Sequence, residues 1–507
     1  MDKRKALLNV TVSTAFKLLT MMLVIVVKRC LIQACGNDVN GLNALYLSII
    51  GFLSVADLGI GSAITFCMYK PIVEGDNDTV SALYKLFQKL YVIIGGIIFA
   101  VGLCITPFLK VFAKDYDTLD VNLYLTFFLM LISVVLSYIY SSKTSLINAY
   151  KNNYITTSIY SGGITLQYIL QIIVILTTKS YVWYLICRIV AVLVQWGITE
   201  LITRRKYRHI IINRQKINSV TKKEVVKNIK AMFMHRIGGV LVNTVDSVVI
   251  SMFVGVVALG EYSNCSTILA SITGVLSLVF SSITSIMGHL YVEAEKGIVR
   301  KYFEAFHILN FVLAAIFFMG YFAIIENIIA IIFSPDLIVK RSIAIVISLN
   351  GFVQFLRNST LMFRDATGTF YNDRWKPLIE GIVNIVLSVL FVKLIGVVGV
   401  IVATILTNLV ICDIIEPYVL YKNAFNVLPK RFYLMNYSMI ALFTVGLFIM
   451  DALMQTYKSE WIELLVNGCI SVAVSVFMCI VVLLFNRGIF KWILCNLKAG
   501  KKSECIN

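Results

Sequence analysis

The chain is a succession of apolar stretches, each close to the roughly 20 residues a helix needs to cross the hydrocarbon core of a bilayer. About fourteen such stretches fall near residues 11–34, 42–66, 88–112, 121–142, 158–178, 181–202, 231–254, 260–288, 304–326, 338–360, 377–395, 397–420, 437–455 and 463–485, joined by mostly short loops. Backbone amides and carbonyls find no water inside a membrane, so stretches of this length must be helical. Composition agrees, with 59% hydrophobic and only 14% charged residues, where soluble domains carry about 25% charged. The expected fold class is therefore an all-α polytopic membrane protein.

The net charge of +18 is distributed like a topology signal, not like a nucleic-acid surface. Between residues 204 and 230, Arg204, Arg205, Lys206, Arg208, Arg214, Lys216, Lys222, Lys223, Lys227 and Lys230 face the single acid Glu224, so this loop is expected on the cytoplasmic side. Counting spans outward from it puts both termini there too, in agreement with the basic N-terminus and with Arg487, Lys491, Lys498, Lys501 and Lys502 in the tail. Lys28 and Arg29 interrupt the first apolar stretch and a second span follows directly, which argues against a cleaved signal or lipoprotein leader. The eleven cysteines lie mainly in apolar runs without a Cys-x-x-Cys pair and the four histidines are scattered. Neither a disulfide framework, a metal site nor a cofactor is expected.

The basic loop also divides the chain. The expected organisation is a six-helix bundle over 1–203, a basic linker over 204–230, a second six-helix bundle over 231–422 around a shared central cavity, and two additional helices with a basic tail over 423–507. A weak echo supports the repeat: Gly41-Leu42-Asn43-Ala44-Leu45-Tyr46 follows the first span of one half, and Leu259-Gly260-Glu261-Tyr262-Ser263-Asn264 the first span of the other.

Ionised residues within spans are costly, so each is expected to face a bundle interior or a wet cavity. Thr14, Lys17, Met21, Val24 and Lys28 fall on one helical face, putting two ammonium groups about 16 Å apart along the axis with Arg29 beside the second. They form either a cationic ladder or two side chains snorkelling to opposite interfaces. Asp57, in Ser54-Val55-Ala56-Asp57-Leu58-Gly59-Ile60-Gly61-Ser62, lies near mid-membrane, and the seventh span carries His235, Arg236, Asn243, Asp246 and Ser247 as a polar sector. Lys17, Lys28, Arg29, Arg236 and Asn243 are the expected substrate contacts, because ammonium and guanidinium groups favour phosphate. Asp57, Asp246 and Glu380 are expected as internal salt-bridge partners or as ion-coupling sites. Arg188, Arg357 and Glu380 sit nearer the ends of their spans, where a structural or interfacial role competes.

At this point the chain resembles the polysaccharide (O-antigen and capsule) flippase family of the multidrug/oligosaccharidyl-lipid/polysaccharide exporter superfamily. The resemblance rests on Ala56-Asp57-Leu58-Gly59-Ile60-Gly61-Ser62-Ala63-Ile64, on Asp246 with Gly260-Glu261-Tyr262-Ser263-Asn264, and on Arg364-Asp365-Ala366-Thr367-Gly368-Thr369-Phe370 running into Lys376-Pro377-Leu378-Ile379-Glu380, Asn384, Ser388 and Gly396-Val397-Val398-Gly399-Val400. It implies two bundles that alternate access to a cavity in the cytoplasmic membrane of a bacterium. The implied substrate is an undecaprenyl-pyrophosphate-linked oligosaccharide moved from the inner to the outer leaflet, with membrane lipids, glycosyltransferases and a glycan polymerase as partners and no nucleic acid. A cation-coupled exporter of drugs or metabolites on the same fold is the rival reading, with Asp57, Asp246 and Glu380 binding the cation. A membrane enzyme is not expected. The outward loops are short, and no Walker A lysine, His-Glu-x-x-His pair or nucleophile elbow is present.

Overall fold

A computed structural model describes residues 3–54, 60–212, 244–457, 459–489 and 491–492. Among these residues there is no β-strand. In order the helices are α1 (Lys3–Cys35), α2 (Asn37–Leu53), α3 (Ile60–Glu74), α4 (Asn77–Ile105), α5 (Leu109–Phe112), α6 (Leu123–Ala149), α7 (Asn153–Thr178), α8 (Tyr181–Lys206) and α9 (Arg208–Ile212). There follow α10 (Thr244–Phe253), α11 (Val256–Glu293), α12 (Lys296–Ile332), α13 (Arg341–Ala366), α14 (Lys376–Ile395), α15 (Val397–Thr407), α16 (Asp413–Leu420), α17 (Lys430–Leu453) and α18 (Glu460–Phe485). The stretch expected as one span over 42–66 holds two helices, α2 and α3, on either side of residues outside those described.

Nine segments among the described residues are long and apolar enough to cross a membrane. Their side chains are arranged for that solvent. On α14, Lys376, Glu380, Asn384 and Ser388 recur every fourth residue and are all buried, while Ile382, Val386, Leu390 and Leu394 on the other faces are exposed. Helix α18 repeats the pattern, burying Asn467, Ser471 and Ser475 and exposing Leu465, Val472, Val476 and Phe477. A polar stripe inward and an apolar surface outward is the reverse of a water-soluble helix and fits surroundings of lipid. Hydroxyls within spans donate back to their own helix, as Thr65 does to the Gly61 carbonyl and Thr203 to that of Thr199.

Breaks between helices fall where the backbone can turn. Gly36 at φ 94° separates α1 from α2, and Gly396 at φ 62° reverses the chain between α14 and α15. Asp76 caps α4 by accepting from the Thr79 amide at 2.9 Å, and Asn122 caps α6 by accepting from the Tyr124 and Leu125 amides.

The chain divides into two compact units, Met1–Ser263 and Asn264–Asn507. In the first, α2 meets the start of α11 with almost no side chain between them. A Cβ on Gly41 would lie 1.9 Å from the Val256 carbonyl oxygen, and one on Gly260 would lie 2.4 Å from that of Asn37. Asn37 and Asn40 donate from their side-chain amides to the Val257 and Gly260 carbonyls across the same contact. Thus the two segments that echo each other in sequence pack directly together. Helices α7 and α8 pack differently at Gly163, where the missing Cβ makes room for the Gln195 side chain, whose amide nitrogen would lie 2.2 Å from it.

The second unit is packed around aromatic rings. Phe352 and Phe443 stack at 3.8 Å, and Phe303 meets Phe363, Tyr421, Phe425 and Phe432. Asn310 clamps α12 to α13 by donating to the Phe355 and Leu356 carbonyls, both at 2.9 Å.

Candidate functional site

Charge buried within spanning helices is distributed differently in the two units. In the first, the span Thr14–Cys35 carries Lys17, Lys28 and Arg29 and has no carboxylate in its own sequence. Lys28 is 8% exposed, and its ammonium donates to the Ser263 carbonyl at 2.6 Å and to the Ser263 hydroxyl at 2.7 Å. Lys17, three turns earlier, is half-buried, and Arg29 is exposed. Asp246 on α10 is 8% exposed. Asp57, Arg236 and Asn243 lie outside the described residues. The structure therefore buries Lys28 and Asp246 in the same unit.

Elsewhere in this unit Lys143 on α6 pairs with Glu200 on α8, which Arg204 also contacts. Arg188, also on α8, is treated differently. It has no hydrogen bond or ion pair among the described residues, and the ionisable groups that act on it electrostatically are the phenols of Tyr184, Tyr168, Tyr181 and Tyr160.

The second unit holds a closed ionic network. Glu416, fully buried on α16, receives a two-pronged guanidinium from Arg357, with Nε donating at 2.8 Å and Nη2 at 2.6 Å. Lys376 donates to the same carboxylate at 2.6 Å and pairs with Glu380 at 2.6 Å. Arg357 also donates from Nη1 to Glu380 at 3.2 Å and to Asn408 at 2.8 Å. Arg364 pairs with Asp373 at 2.8 Å and lies 3.8 Å from Glu416. Asp413 is buried alongside. Glu380 is thus bound up among Arg357 and Lys376, within a cluster in which three cations are matched to the buried carboxylates Glu380, Glu416 and Asp373.

Local backbone geometry explains how Glu416 reaches this position. Helix α16 contains Pro417 and is flanked by π-helical turns at Asn408–Cys412 and Tyr421–Phe425, which rotate the carboxylate toward α13 and α14. Carbonyls displaced from the regular ladder need other donors in a membrane. Tyr437 and Tyr433 on α17 supply them, donating at 2.7 Å to Leu409 and Ile414.

Of this network the sequence reading singled out Arg357 and Glu380 and missed Glu416. An acid beside a proline within an apolar run was the available signal. The spacings Arg357/Arg364, two helical turns apart, and Lys376/Glu380, one turn apart, were another.

The helical architecture and its inward-facing polar stripes define a polytopic membrane protein. Among solved structures the chain is similar to an inward-facing multidrug resistance MATE family transporter of the MOP superfamily, with a TM-score of 0.63, 12% identity, and 86% of this chain and 99% of that one covered. It is equally similar to the lipid II flippase MurJ in its inward closed conformation, with a TM-score of 0.63, 14% identity, and 95% of this chain and 99% of that one covered. A single-site mutant of the Vibrio cholerae MATE transporter VcmN follows at a TM-score of 0.50, 14% identity, and 80% and 95% coverage. No family model and no curated protein matches the sequence. At these identities the likeness shows the fold: the chain has the fold of the MOP-superfamily transporters.

Proposed function

We propose that the chain is a flippase that carries an undecaprenyl-pyrophosphate-linked oligosaccharide from the inner to the outer leaflet of a bacterial cytoplasmic membrane, with both termini cytoplasmic. It would supply a glycan polymerase with units assembled by glycosyltransferases, and would work by alternating access. The observation that carries this reading is the first span, whose three cations share a helix with no carboxylate of its own and whose Lys28 is buried yet anchored. An ammonium held in a medium of low dielectric attracts phosphate far more strongly than it would in water. The pyrophosphate and sugars cannot enter hydrocarbon, whereas the polyprenyl chain can remain in it. Replacing water around the headgroup with fixed donors lowers the barrier without breaking a bond.

A cation exporter needs a spare carboxylate, and Glu380 is engaged by two cations. The test is export of surface glycan in a strain lacking the endogenous gene. Lys28→Ala at normal protein abundance is expected to abolish export and Lys28→Arg to retain part of it. Unimpaired export by Lys28→Ala, or efflux of cationic dyes by the wild type, would count against the reading.

A further inference from the structure

Arg188 is a cation with no task in the translocation step as proposed. At 100° per residue it falls on the same face of α8 as the buried Tyr181, Tyr184, Val192 and Gln195, and opposite the exposed Trp183, Val190 and Leu201. It therefore points into the bundle and not at lipid. A helical side chain leans toward the N-terminus of its helix, which takes the guanidinium toward Tyr184 and Tyr181, 7% and 2% exposed. No carboxylate or hydrogen-bond acceptor meets it among the described residues, in contrast to Arg357 and Arg364 in the second unit. A guanidinium inside a bundle without a counterion is expensive, and such residues mark ligand or ion pathways.

The surroundings indicate what kind of ligand. Tyr168 and Tyr160 lie on α7, which packs against α8 at Gly163 and Gln195, and with Tyr184 and Tyr181 they are the phenols that act electrostatically on Arg188; Tyr160 is 61% exposed, so the group is open on one side. Aromatic faces pack against the C–H surface of a sugar ring while phenolic hydroxyls exchange hydrogen bonds with its hydroxyls. A guanidinium forks onto phosphate. We infer that Arg188 and the α7–α8 tyrosines form a docking site for a glycosyl diphosphate, Arg188 taking the diphosphate and Tyr168 and Tyr160 the first sugar. This deepens the flippase reading and rests on it.

Three probes test the inference on the full-length protein in detergent: farnesyl diphosphate, farnesyl-diphosphate-linked N-acetylglucosamine, and phosphatidylglycerol as competitor. Arg188→Met, which keeps the length and removes the charge, is expected to weaken both diphosphate probes at least tenfold, with Arg188→Lys intermediate. Tyr168→Ala is expected to weaken only the sugar-bearing probe. Without ligand, Arg188→Met should melt at the same or a higher temperature than wild type, since it removes a charge that meets no counterion among the described residues; a purely structural arginine would give a lower one. Binding by Arg188→Met within twofold of wild type overturns the inference, and so does competition by phosphatidylglycerol at equal concentration, which would make this a lipid-headgroup anchor. If the wild type itself binds neither diphosphate probe, the flippase reading fails together with the site. Normal wild-type binding that Arg188→Met leaves intact sinks the site alone.

Discussion

Replacing Glu416 by Gln isolates what its charge contributes to the second unit. The carboxylate accepts three charge-assisted hydrogen bonds of 2.6–2.8 Å, two from Arg357 and one from Lys376, with Arg364 at 3.8 Å. Hydrogen bonds to charged groups are worth about 1.5–3 kcal/mol each. The amide keeps one acceptor oxygen, so one or two of the three are lost, giving about 2–6 kcal/mol. Breaking a buried pair by removing one partner costs about 3–5 kcal/mol, which narrows the expectation to about 3–5. Arg357, Arg364 and Lys376 would then share Glu380 and Asp373, and a second substitution, Lys376→Met, should recover part of the loss because it removes a cation the missing charge had satisfied. Reversible unfolding in mixed micelles, followed for wild type, both single variants and the double variant, measures each step. A loss below about 1 kcal/mol for Glu416→Gln, or full additivity in the double variant, would refute the assignment of Glu416 as the centre of the network.

Three further outcomes follow from the packing. Gly41→Ala places a methyl against the Val256 carbonyl and should cost about 1–3 kcal/mol or more. Gly96→Ala on α4, where nothing lies within 4 Å of the added carbon, should be neutral or stabilising by up to about 1 kcal/mol; thermal melting of the two variants in parallel checks the contrast. Asn310→Ala, which leaves two buried carbonyls of α13 without their side-chain donor, should lower stability by about 1–3 kcal/mol and speed amide exchange in α13. Asp76 stands outside the spans, and its bonds to Thr79 hold the carboxyl below the usual carboxylate range. Its capping is therefore complete above the unfolded pKa and lost as the pH falls through the lowered folded value. Protection of the amides at residues 77–80, relative to their intrinsic exchange at each pH, should fall as the medium is acidified below about pH 4, and Asp76→Asn should flatten that dependence.

The fold was legible because a bilayer leaves so few solutions. Helices α6, α7, α8, α12, α14, α17 and α18 fall on the stretches expected for them, and the four-residue polar repeats of α14 and α18 already mark their inner faces. Partners were not legible. Lys28 and Ser263 are 235 residues apart, and no local pattern ties them together; the same holds for the backbone contact at Gly41 and Gly260, whose sequences look alike without revealing that they touch. Glu416 was hidden because spans were located by their apolar character, which lets one acid pass unnoticed. Arg188 was read by depth along its helix, and depth alone does not say which face a residue occupies.

The proposed activity is movement of a polyprenyl-diphosphate-linked glycan between leaflets. The most direct measurement uses proteoliposomes holding the purified protein and a fluorescent short-chain polyprenyl-diphosphate oligosaccharide in one leaflet, with membrane-impermeant cleavage of the sugar reporting its arrival in the other. Protein-dependent transfer is expected, which Lys28→Ala suppresses and which a neutral glycolipid of equal chain length does not share. Transfer no faster than in empty liposomes, or equal transfer of the neutral glycolipid, would contradict it.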